Sequence, residues 1–139
     1  MKLTESTEMY LATIMLLEEE NESAKVVEIA DILGVTKPSV SKAMKQLLEE
    51  GYIDKELYGH ITLTDLGRQA AEKVVHKRRL IITYLQRSLG LSREEASRNA
   101  CRMEHVISDE MLEGIRTYLN EQETQTQQRK GEQEWSSLL

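Results

Sequence analysis

Residues 25–51, KVVEIADILGVTKPSVSKAMKQLLEEG, limit most strongly what this chain can become. KVVEIADIL reads as a short helix over residues 25–33, and Gly34 is the residue type that closes a helix in a left-handed conformation. Pro38 fits the first turn of the next helix, with Thr36 upstream as its cap. That helix is expected to run to about Glu50, where Gly51 stops it. Two short helices joined by a tight glycine turn form a helix-turn-helix. After Gly51 the pattern changes: YIDKEL and HITLT are short β-type runs around a break at Tyr58-Gly59. A hairpin placed there is the wing of a winged helix.

The flanks are helical. Residues 4–20 place Tyr10, Ile14 and Leu17 on one face, with Thr4 as N-cap and Glu18–Glu20 as a solvated end. Thr64 precedes a long helix to about Ser88, whose apolar stripe includes Val74, Val75, Ile81, Ile82 and Leu85. Ser92 and Glu95 make a capping-box pattern for a short helix over 92–97. Residues 99–119 read as one further helix, and from Asn120 the chain is polar, a weak helix or a tail. Phe is absent, so the core must come from Leu, Ile, Val, Met and Ala, which suits packed helices. The expected fold is mainly α: a winged helix-turn-helix domain over 1–66, then an all-helical domain over 67–139 with a polar C-terminal tail. No apolar leader and no run long enough to span a membrane are visible, so a membrane partner is not expected. A single cysteine excludes an internal disulfide and fits a reducing cytoplasm.

The chain is acidic, with a net charge of −6. Nucleic-acid binding therefore needs a local patch. Residues 24–48 carry Lys25, Lys37, Lys42 and Lys45 against Glu28 and Asp31, whereas residues 1–23 carry one Lys and six Glu. The positive charge gathers on the helix-turn-helix, where Thr36, Ser39 and Ser41 stand at the start of the second helix. Small polar groups and lysines there meet base edges and phosphates when a helix enters a major groove.

The stretch ACRMEHVISDE, residues 100–110, carries a different chemistry. At about 100° per residue, Cys101, Glu104 and His105 share a helix face, and Glu104 interrupts a stripe otherwise built of Ile107, Met111, Leu112, Ile115 and Leu119. A carboxylate facing a core must be paired, protonated or bound to a cation. Taken singly, each residue has a plain structural role: a small buried thiol, a hydrogen-bonded histidine, an acid paired with Arg78 or another base. Together they offer three metal-donor types. An enzyme is not expected, because a Cys–His pair lacks a third orienting group and a glycine-rich loop for an oxyanion.

STEMYLATIMLLEEE, GVTKPSVSKAMKQL, ITLTDLGRQ and above all ACRMEHVISDE resemble the iron-dependent repressor family of the diphtheria toxin repressor, over about residues 3–119. The resemblance implies a metal-dependent transcriptional repressor in which a homodimer binds palindromic double-stranded operator DNA of metal-homeostasis genes. It implies a metal site of Met9, Cys101, Glu104 and His105; Met9 alone would pass as core filling. It implies DNA contacts from Ser6, Thr36, Lys37, Pro38, Ser39, Ser41, Lys42 and Lys45.

Manganese-type members carry acids where Met9 and Ala12 stand and a Glu where Cys101 stands. Sulfur donors favour Fe2+, Co2+, Ni2+ and Zn2+ over Mn2+. The expected co-repressor is Fe2+; a Mn2+-responsive repressor and a metal-independent helix-turn-helix protein are the alternatives. The family's ancillary metal site has a histidine where Arg78 stands and ligands where Ile82 and Ser97 stand. Its loss here leads to the expectation that the Arg78 guanidinium replaces that cation and pairs with a nearby acid. His60, in the wing, is expected to be a DNA-proximal or solvent residue and His76 a surface residue, neither of them a ligand. The SH3-like domain of longer members is expected to be missing after residue 119.

Overall fold

The computed structural model describes residues 3–56 and 59–138, with side chains up to residue 132. The elements in chain order are α1 (Glu5–Asn21), α2 (Val26–Leu33), α3 (Lys37–Glu49), β1 (Ile53–Lys55), β2 (Ile61–Leu63), α4 (Asp65–Leu89), α5 (Arg93–Met103) and α6 (Asp109–Leu138). The chain forms two compact units, Met1–His76 and Lys77–Leu139, dividing within α4.

In the N-terminal unit the expected caps are present. Thr4 Oγ1 accepts the Thr7 amide at 3.2 Å, and Thr36 Oγ1 accepts the Ser39 amide at 3.3 Å. Gly34 closes α2 at φ 66°, a conformation costly for any residue with a side chain. β1 and β2 pair antiparallel, with Ile53 opposite Leu63, Asp54 opposite Thr62 and Lys55 opposite Ile61. Tyr58, expected in the turn, lies outside the described residues; Gly59 has φ 76°. The core joins Leu11 and Ile14 of α1, Ile29 of α2, Val40 and Met44 of α3, and Ile53 and Ile61 of the wing. The apolar stripes read from the sequence thus meet in one cluster.

Two features of this unit run against or beyond the sequence reading. Glu18 is not a solvated end: its side chain is only 9% exposed. The Leu63 amide donates to Glu18 Oε1 at 2.6 Å and Arg68 to Oε2 at 2.9 Å. One carboxylate therefore ties α1 to the wing and to the start of α4. The sheet is also extended by a bridge between Ala24 and Ile61, with backbone bonds of 2.9 and 2.8 Å. At Gly67 the first turn of α4 passes so close to Tyr52 that a Cβ would collide with the Tyr52 carbonyl oxygen.

In the C-terminal unit Ile81, Leu85, Ala96, Ala100, Ile115 and Leu119 form the core. Tyr84 and Tyr118 pack edge to face at 5.4 Å. Ser92 caps α5 by accepting the Glu95 amide at 3.2 Å, but α5 runs well past residue 97, to Met103. The single helix expected over 99–119 does not exist. The chain leaves α5 at Glu104 and re-enters α6 at Asp109, where Ser108 Oγ accepts the Met111 amide at 3.1 Å. The sequence SDE carries its own start signal, a capping Ser followed by two acids in the first turn, and that signal overrides the apolar periodicity. The polar stretch after Asn120 continues α6 as helix to Leu138.

Candidate metal centre and nucleic-acid interface

The end of α5 positions the residues of the C-terminal unit. Glu104 is its C-cap, with its amide donating to the Ala100 carbonyl at 2.9 Å. A carboxylate at the negative end of a helix dipole is unfavourable unless a cation answers it. Burial sharpens the demand, for Glu104 is 1% exposed, the one buried charged residue among those described.

Arg78 of α4 supplies a cation. Its Nε donates to Glu104 Oε2 at 2.6 Å and its NH2 to Oε1 at 2.7 Å, a two-point fork. The side chains are 19% and 0% exposed. The hydrogen bond to Glu104 raises the Arg78 pKa above its ordinary value; burial opposes the rise, and the charges of Glu104 and Cys101 add to it. The pairing of Arg78 with a nearby acid, expected because Arg78 stands where the family's ancillary site has a histidine, is therefore present, and the acid is one of the expected metal ligands.

His105 also approaches the carboxylate, at the oxygen that Arg78 NH2 reaches. Its side chain is 2% exposed, and Nε2 lies 3.2 Å from Glu104 Oε1. Two donors each bound at about 2.1 Å to one ion, at right angles, are about 3 Å apart, so this separation suits a shared ion as well as a direct contact between the two groups. Cys101, half-buried on the preceding turn of α5, adds a sulfur donor. Among the described residues no three His, Cys, Asp or Glu side chains gather closely enough to form a closed metal cluster. The pair Glu104–His105 is brought together; Cys101 is not drawn into a triad with it. Met9 lies in α1, in the N-terminal unit. The donor types (oxygen, nitrogen and sulfur) fit a divalent transition metal.

The DNA-facing candidates have the opposite environment. Ser6, Thr36, Lys37, Pro38, Ser39, Ser41, Lys42 and Lys45 are all exposed. Thr36 and Ser39 also bond to each other, Oγ1 to Oγ at 2.8 Å, so their hydroxyls shape the start of α3 as well as being open to a ligand. His60 is not a solvent residue: it is half-buried, and its Nδ1 lies 2.8 Å from Ser23 Oγ, beside the Ala24–Ile61 bridge. Its neighbour Ile61, a β-type residue in the wing, gave no hint of a partner so far back in the chain. His76 is exposed.

Residues 2–61 match the iron-dependent repressor N-terminal DNA-binding domain, and residues 64–132 match the iron-dependent repressor metal-binding and dimerisation domain. The chain belongs to the iron-dependent repressor family. It is 36% identical over 118 residues to an uncharacterized HTH-type transcriptional regulator of Methanocaldococcus jannaschii, covering 84% of this chain and 94% of that protein. It is 36% identical over 119 residues to the iron-dependent repressor IdeR of Mycobacterium tuberculosis, covering 86% of this chain and 52% of the repressor. The structure of the manganese regulator SloR superposes with a TM-score of 0.71 at 32% identity, over 86% of this chain and 55% of the regulator. The chain thus spans about half the length of these two named regulators. No helix among the described residues is long and apolar enough to cross a membrane.

Proposed function

We propose that this protein is a metal-dependent transcriptional repressor, in which a homodimer binds palindromic operator DNA of metal-homeostasis genes in the cytoplasm when a divalent metal is bound. The observation that carries the reading is the fully buried Glu104 carboxylate with the His105 imidazole 3.2 Å away, inside the segment matched to a metal-binding domain. Met9, Cys101, Glu104 and His105 would hold the ion, Met9 on the strength of the family resemblance. When bound, the ion supplies a positive charge and coordination bonds that these donors share. Glu104 provides an anionic oxygen, His105 a neutral nitrogen and Cys101 a thiolate. None of them is assigned a catalytic role.

Lys37, Lys42 and Lys45 bind operator phosphates, while Ser6, Thr36, Pro38, Ser39 and Ser41 bring the start of α3 against the groove. A metal that binds the DNA-competent arrangement better raises DNA affinity, and DNA raises metal affinity by the same factor. Fe2+ is the favoured ion, because Met9 and Cys101 are sulfur donors. Similarity to a manganese regulator keeps Mn2+ as the second reading.

An anaerobic Co2+ titration of the protein and of Cys101→Ser tests this, read at the near-ultraviolet thiolate-to-cobalt band. The expected result is a band that saturates in the wild type and is absent in the variant. Co2+ binding without the band would favour the manganese reading. No Co2+ binding would remove the metal sensor altogether.

A further inference from the structure

The two oxygens of Glu104 do different work. Oε2 accepts from Arg78 Nε at 2.6 Å. Oε1 accepts from Arg78 NH2 at 2.7 Å and also faces His105 Nε2 at 3.2 Å. Each carboxylate oxygen has two lone-pair directions. Arg78 takes one on each oxygen, the converging pair between the two oxygens, so the directions that remain diverge and cannot both reach one ion; Oε1 is the oxygen beside His105 Nε2. Glu104 can therefore give a metal one oxygen while keeping Arg78, but it cannot offer both oxygens to an ion.

Charge follows the same division. A guanidinium keeps its proton at any physiological pH, so the positive charge on Arg78 is permanent. An ion reaching Oε1 and Nε2 meets a carboxylate already neutralised by its partner. A divalent ion held by both oxygens of Glu104 at once would have to stand where the guanidinium already is. Hard ions such as Mn2+ rely on anionic and bidentate oxygen, and they lose most from this sharing. Ions that bind nitrogen and sulfur well lose least.

We infer that Arg78 is a fixed counter-cation built into the metal centre, which restricts it to one ion per chain and biases it against hard, oxygen-seeking ions. The inference rests on the reading of Glu104 and His105 as metal ligands. Arg78 acts through Glu104 and is a positioning residue.

The test is anaerobic equilibrium dialysis of the full chain with Co2+ and with Mn2+, singly and in competition, for the wild type, Arg78→Gln and Arg78→Lys. The wild type should saturate at one Co2+ per chain and prefer Co2+. Arg78→Gln frees the second oxygen and removes the charge, and should shift the Mn2+:Co2+ affinity ratio toward Mn2+ by roughly tenfold or more. Arg78→Lys keeps the charge and should stay near the wild-type ratio. Two ions per wild-type chain, an unchanged ratio in Arg78→Gln, or an equal shift in Arg78→Lys would each overturn the inference while leaving a metal sensor. Failure of the wild type to bind Co2+ would remove the metal centre and the inference together. If Arg78→Gln does not fold, the wild-type stoichiometry and the Arg78→Lys ratio still decide.

Discussion

Both units contain an Arg–Glu pair that joins distant parts of the chain, and the two pairs are built differently. In the N-terminal unit, Glu18 meets Arg68 at the rim, with side chains 9% and 45% exposed. Half of Glu18's work is done on the Leu63 amide, and the apolar core beside it is uninterrupted. In the C-terminal unit, Glu104 and Arg78 are 0% and 19% exposed, and a second titratable side chain, His105, is buried with them. A rim pair fastens elements at small cost, because water still solvates the arginine. A buried pair loses more hydration than it recovers unless its geometry is good, and an apolar pair of the same volume would usually hold the fold as well. The C-terminal unit keeps charges where packing has no need for them, and that is the physical argument for a ligand there.

This contrast can be broken by substitution. The largest loss of stability is expected for Glu104→Ala, which strands Arg78; denaturation in the presence of a chelator should show a cost of about 3–5 kcal/mol. A cost below that of a rim pair would mean that Arg78 reaches water and that the two pairs are alike. Gly67→Ala comes next, at roughly 1–3 kcal/mol, because the added methyl meets the Tyr52 carbonyl; an unchanged midpoint would show that α4 can retreat from the wing. Glu18→Ala should cost about 1–2 kcal/mol, mostly through the Leu63 amide left without its acceptor, and hydrogen exchange at Leu63 should quicken. Protection of that amide in the variant would place its partner elsewhere. Lys42→Ala should change stability by less than about 0.5 kcal/mol. Its effect belongs to binding: the salt dependence of DNA affinity should fall by about one ion, and an unchanged slope would take Lys42 off the phosphate backbone.

The N-terminal unit was legible in the sequence because its signals are local. Thr4, Gly34, Thr36 and Pro38 each act within a turn of themselves, and the structure has them in those roles. What escaped was long-range. Glu18 looked like part of a solvated acidic run because its partners, Leu63 and Arg68, are remote in sequence. His60 escaped for the same reason, with Ser23 as its partner.

In the C-terminal unit the charged interruption at Glu104 was legible, and its support was read through the wrong geometry. Extending one helical register across residues 104–108 put Glu104 in the middle of a continuous stripe. The structure breaks that helix at Ser108, yet Glu104 is still buried. What answers the buried charge is the two-point bond from Arg78. That Arg78 pairs with an acid was legible because Arg78 stands in α4, which the break does not disturb.

The bond from Leu63 to Glu18 spans 45 positions, and that separation matters during synthesis. At about 5–20 residues per second, α1 leaves the ribosome roughly 2–9 s before the strand that completes its setting. Until the wing is made, Leu11 and Ile14 can meet Ile29, Val40 and Met44 but lack Ile53 and Ile61, so their core is incomplete. The six glutamates among the first 23 residues then have a second use: they keep a waiting, half-apolar helix in solution until the wing arrives to claim one of them.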